Sequence, residues 1–128
     1  MNTPSPRPQP RRAPDDLLVL QRAEDLATFV LQRSGRWPKS QRHTTTRRLE
    51  DHVLDVVDDL VVARYDKAAR RERLAAANLR LERARFVLRL LAGSQLCPAA
   101  HYEGIAARLD DVGRLLHGWR TQAREVAP

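Results

Sequence analysis

The stretch RRERLAAANLRLERARFVLRLLAG, residues 70–93, decides the fold. Within it Leu74, Ala77, Leu81, Ala84, Leu88 and Leu91 recur at intervals of three and four, the spacing that puts side chains on one stripe of an α-helix. Good helix formers, chiefly Ala, Arg, Glu and Leu, fill the positions between, and Gly93 supplies a stop. A helix over Arg70 to Ala92 follows, and its apolar stripe needs other surfaces to cover it.

The flanking sequence supplies three such surfaces. Upstream, Leu49, Val53, Val56, Val57 and Leu60 form a stripe on a helix from about Ser40 to Tyr65, with Ser40 as its cap and Asp51, Asp55, Asp58 and Asp59 on the opposite side. Before it, the apolar run from Leu17 to Gln32 follows Asp15 and Asp16, acids that suit a helix N-terminus, and it ends at Ser34-Gly35. Downstream of the loop 94–98, Tyr102, Ile105, Leu109, Val112 and Leu116 align on a helix over Ala99 to Gln122, with Gly113 inside the stripe to admit a neighbouring helix. Short links hold successive helices side by side, so the predicted fold is all-α, an antiparallel up-down four-helix bundle. Its bounds are residues 15–122, between a Pro- and Arg-rich tail of residues 1–14 and a C-terminal tail of residues 123–128.

Composition narrows the function. The chain of 128 residues holds one domain, carries a formal net charge of +7, and has Lys39 and Lys67 as its only lysines. An Arg-borne positive field suits phosphates or acidic protein surfaces, although a GC-rich genome also trades Lys for Arg. The single cysteine, Cys97, forms no intramolecular disulfide and reads as a small apolar loop residue. Nothing resembles a signal peptide or a membrane span, so the expected location is cytoplasmic. His43, His52, His101 and His117 lack metal-ligand spacing, and neither Asp58-Asp59 nor Asp110-Asp111 builds a carboxylate pair for catalysis. No catalytic residue, metal, cofactor or small-molecule substrate is expected.

Three features go beyond the fold. Leu79, Phe86 and Leu90 form a second apolar stripe on the third helix, away from the core stripe. Arg73 and Arg80 separate the two stripes on one side, and Asn78, Arg85 and Arg89 on the other. The second stripe reads either as an oligomer interface or as a widened core. Acids crowd the second helix while Lys67 to Arg89 carries eight basic residues against Glu72 and Glu82, so the acidic face of one subunit is placed to meet the basic face of the next. Lastly, Arg36, Lys39 and Arg42, followed by Arg47 and Arg48, combine a loop with a helix start, from which phosphate sites are made. Trp37 in that loop either stacks on an unpaired base or closes the bundle end.

Residues 37–44 (WPKSQRHT), Arg48-Leu49-Glu50, residues 76–83 (AANLRLER), Val87 to Leu90 and residues 112–119 (VGRLLHGW) together resemble the accessory variability determinant (Avd) family of diversity-generating retroelements. The fold also resembles that of proteins encoded in intervening sequences of bacterial ribosomal RNA genes. The resemblance spans about residues 20–120 and implies a homopentameric barrel with a positively charged surface. It further implies binding to a reverse transcriptase and to template RNA or cDNA in support of mutagenic retrohoming, without catalysis by the chain itself. Carried over, Lys39, Arg42, Arg80, Arg83, Arg85 and Arg89 are the family's basic positions, Asn78 is a polar core or interface residue, and Trp119 covers the bundle end. The Pro-rich leader departs from the family pattern. The reading that competes is an adaptor bundle whose basic face meets an acidic protein or a structural RNA outside any retroelement.

Overall fold

A computed structural model describes residues 16–126, so the Pro- and Arg-rich segment 1–14 lies outside the described residues. Four helices, α1 (Asp16–Ser34), α2 (Thr45–Tyr65), α3 (Arg70–Gly93) and α4 (Ala99–Val126), are joined by short links, the first of which holds a 3₁₀ turn at Lys39–Gln41. Each helix packs on two neighbours, in the cyclic order α1, α2, α3, α4. Polar ties fix the antiparallel sense of the first pair. Ser34 Oγ donates to Glu50 Oε2 at 2.6 Å where α1 ends and α2 begins, and Arg64 donates to Asp16 at 3.0 Å where α2 ends and α1 begins.

The core is the one the periodicity predicts, except that Val57 and Tyr102, at the edges of their stripes, are only partly buried and pack against it. Leu49, Val53, Val56 and Leu60 from α2, the six-residue stripe of α3, and Ile105, Leu109, Val112 and Leu116 from α4 are all buried, together with Val19, Ala23, Leu26 and Val30 from α1. Burying a large aliphatic side chain is worth about 1.5–3 kcal/mol, so these stripes rather than helix propensity hold the bundle. Trp37 is buried at the end where α1 stops, and its indole Nε1 donates to His101 Nδ1 at 3.0 Å. Trp119 is buried in the last part of α4.

Several local features differ from the sequence reading, each for a physical reason. Ser40 does not cap α2. Pro38 leads into the 3₁₀ turn, Gln41 Oε1 accepts from the hydroxyls of Thr44 and Thr45 at 2.8 and 3.1 Å, and regular helix begins only at Thr45. Three consecutive threonines, stiff at χ1 and supplied with a local hydroxyl acceptor, delay the helix. The helix α4 runs past Gln122 to Val126. At the end of α3, Gly93 is still helical and the left-handed residue is Gln95, with φ of 60°. Leu96 N–H bonds to Leu91 O at 2.8 Å and Gln95 N–H to Ala92 O at 3.0 Å, the paired bonds of a Schellman cap. Asp59 is the largest departure. Its side chain is only 2% exposed, on the flank of α2 that faces α3.

Cys97 is buried, and loss of solvent pushes its thiol up to about 11 from an ordinary 9.0. Near pH 8 the native chain therefore holds roughly a hundredfold less thiolate than an exposed cysteine. A disulfide-exchange reagent is expected to label the native protein slowly and the denatured protein at once, and equal rates would show that the 94–98 loop opens freely.

Candidate nucleic-acid and partner interface

The sequence-predicted basic residues fall into three sets. Arg36, Lys39, Arg42, Arg47 and Arg48 are exposed around the 3₁₀ turn and the start of α2. Arg47 reaches Asp51 at 3.6 Å, whereas the side chains of Arg36, Lys39, Arg42 and Arg48 enter no hydrogen bond or ion pair among the described residues. The up-down topology brings the end of α1, the start of α2, the end of α3 and the start of α4 to this one end of the bundle. Two connections distant in sequence, 35–44 and 94–98, thus share that end.

The second set is committed inside the chain. Arg73 binds Asp59 at 3.1 Å, and Arg80 binds Asp59 at 2.8 Å and Asp55 at 3.3 Å. The acidic flank of α2 therefore meets the basic flank of α3 within one subunit, not across two as the charge pattern suggested. Arg85 spans α3 and α4, pairing with Glu82, with Asp110 at 3.3 Å and with the Leu109 carbonyl at 3.3 Å. Its guanidinium lies over Gly113, where a Cβ would stand 3.0 Å away, so that glycine makes room for a side chain and not for a helix backbone.

The third set lies on the outward face of α3. Leu79, Phe86 and Leu90 are 59%, 60% and 64% exposed, which rules out the widened-core alternative. Arg83 is exposed on the same face, and the Arg89 guanidinium sits 4.7 Å from the Phe86 ring centroid. His52 registers the field on this side of α3. Burial first, then the nearby Arg83, hold its pKa below the usual histidine value, so its ring is neutral at pH 7. Asn78 is half-buried beside the stripe.

A model of the bAvd-like family, bacterial accessory variability determinants, matches residues 17–123. The chain belongs to this family. Among solved structures it is similar to a protein of unknown function from the S23 ribosomal protein family of Bacteroides thetaiotaomicron, with a TM-score of 0.76 at 15% identity over 83% of this chain and 97% of that one. At that identity the likeness concerns the fold alone. No protein of curated function matches.

The bAvd-like bundle carries two further features that the sequence reading missed. One is a second exposed apolar patch where α1 and α2 meet: Leu31, Leu54, Val61 and Tyr65. At 100° per residue Glu24 shares the face of Leu31, and Asp58 flanks Leu54 about 40° round the helix. The other is a groove between α1 and α4. Phe29 inserts there against Gly104, where an added Cβ would come within 2.4 Å of the ring, and Arg33 and Arg108 stack on the ring at 3.3 and 3.7 Å from its centroid. The pairs Phe29/Arg33 and Gly104/Arg108 are both spaced i, i+4, the available signal, but only tertiary packing brings them together. Among the described residues no His, Cys, Asp or Glu group is arranged to hold a metal, and no helix is long and apolar enough to cross a membrane.

Proposed function

We propose that the chain is a non-catalytic accessory subunit of a diversity-generating retroelement, binding template RNA or cDNA and the reverse transcriptase through the basic end of its bundle. The observation that carries this reading is the cluster of Arg36, Lys39, Arg42 and Arg48 along the link into α2, exposed, unpaired among the described residues and with no core role. Guanidinium groups in that state are ready to exchange condensed counterions for phosphates. Membership in the bAvd-like family supports the retroelement setting.

The same reading includes a ring of identical subunits, five as the family resemblance implies. The α3 stripe is apolar with Arg83 and Arg89, and the α1–α2 patch is apolar with Glu24 and Asp58, so the two are complementary in charge and different in location. Contact between two different faces is heterologous, the kind that closes into rings.

Binding to single-stranded RNA is expected to weaken steeply with salt. Replacing Arg36, Lys39, Arg42 and Arg48 together by Gln is expected to lower the log–log slope by about 3, at roughly 0.7 per phosphate on a single strand. Helicity should be unchanged, because all four side chains are exposed. A slope that does not move would remove the basic end from the interface. Capture of a reverse transcriptase from the native cell, with and without nuclease, checks the protein partner. Capture of an acidic protein with no affinity for RNA would favour the adaptor reading.

A further inference from the structure

We infer that the groove between α1 and α4, on the Trp37 side of Phe29, is a binding site for one unpaired nucleotide, a deepening that rests on the nucleic-acid reading above. The ring of Phe29 stands in the notch left by Gly104 and divides the groove in two. With their central carbons 3.3 and 3.7 Å from the ring centroid, the guanidiniums of Arg33 and Arg108 are in van der Waals contact over it, and two groups that close cannot share a face. Each half of the groove is therefore bounded by one guanidinium whose inner face rests on Phe29 and whose outer face is turned away from the ring. Arg33 is further held by donating to the Phe29 carbonyl at 3.3 Å and to Gln32 Oε1 at 3.4 Å.

The two halves differ in charge. On the Arg108 side, Arg108 donates to the Gly104 carbonyl at 3.0 Å, while Arg22 pairs with Asp25 at 3.7 Å and Asp111 at 3.4 Å and Arg114 with Asp111 at 3.3 Å, so two acids temper the charge of that half. The Trp37 side, about 590 Å³, is lined by Phe29, Gln32, Arg33, Arg36, Ala100 and His101, without an acid. That volume lies in the range of sites for small organic ligands. His101 accepts the Trp37 indole N–H at Nδ1, which leaves its ring proton on Nε2 as a donor. Arg36 is exposed at the rim and has no side-chain partner among the described residues.

A planar cation fixed so that its free face looks into a groove selects a planar π-system, because carboxylates and phosphates bind guanidinium edges and not faces. An unpaired base stacked on Arg33, with its phosphate on Arg36 and its edge toward Gln32 and His101, uses every polar group of this half. A base inside a duplex has both faces covered by its stacked neighbours and its edge taken by its pair, and does not fit.

The test is fluorescence anisotropy of labelled single-stranded and blunt double-stranded RNA across a salt series, with wild-type, Arg33→Lys and Arg36→Gln chains, each checked by thermal melting. Arg33→Lys keeps the charge and loses the plane. It is expected to weaken single-stranded binding about tenfold at unchanged salt slope and to leave duplex binding as it was. Arg36→Gln is expected to lower the slope by about 0.7. Wild-type affinity in Arg33→Lys, or an equal loss for both RNAs, overturns the site while leaving the accessory function standing. So does loss of protein capture with RNA binding intact, which assigns the groove to a protein. A wild-type chain that binds no RNA defeats both readings.

Discussion

Replacing Arg73 and Arg80 together by Met is expected to destabilise the bundle by about 3–5 kcal/mol, the cost of leaving a buried carboxylate without its cations. Asp59 is 2% exposed and takes its charge-assisted bonds from these two arginines, at 3.1 and 2.8 Å. Methionine keeps most of the aliphatic packing of each arginine, so the loss isolates the charge. Either replacement alone leaves Asp59 one partner and is expected to cost markedly less. Adding Asp59→Leu to the double variant removes the stranded charge and is expected to return stability to the wild-type level or above, as buried ion pairs exchanged for apolar groups often do. Urea denaturation followed by circular dichroism reads the four variants beside the wild type. A double variant as stable as wild type would mean that Asp59 finds water or another donor. The prediction also bears on function, since weaker RNA binding on loss of Arg80 is not by itself evidence of a phosphate contact.

Legibility followed the range of the interaction involved. The stripe of α3 was readable because helical periodicity is local, and all six of its residues are buried as predicted. The exposure of Leu79, Phe86 and Leu90 was readable as one of two alternatives, and only packing decided between them. Asp59 was misread because it stands next to Leu60, at the margin of the core stripe, where a carboxylate faces water or is buried according to what the next helix brings. Arg73 and Arg80, two turns apart on one face of α3, bury it, and sequence alone does not set their register against α2. The pairing of Phe29 with Gly104 joins residues of the first and last helices, so no local pattern announces it. Gly113, which looked like the close approach, faces the end of a flexible arginine. For the basic end, composition gave the sign of the charge and topology gave its location.

Changing Phe86 and Leu90 both to Asp is expected to leave a folded bundle that no longer assembles. Both side chains are mostly exposed in the single subunit, so their loss should change its melting little, within the range of ordinary surface substitutions. At a subunit interface the same two side chains are worth about 2–4 kcal/mol of apolar burial, and aspartates in their place would face Glu24 and Asp58 of the neighbouring patch. Light scattering on a sizing column should therefore show an oligomer for the wild type and a monomer for the variant at micromolar concentration. Charge reversal tests which faces meet. Arg83→Glu alone and Asp58→Arg alone are each expected to weaken the assembly, and the two combined in one chain to restore much of it, because every interface then carries the swapped pair. Additive losses in the combined chain would separate the α3 stripe from the α1–α2 patch. A monomeric wild type would remove the ring altogether and leave the apolar stripe of α3 to a different protein.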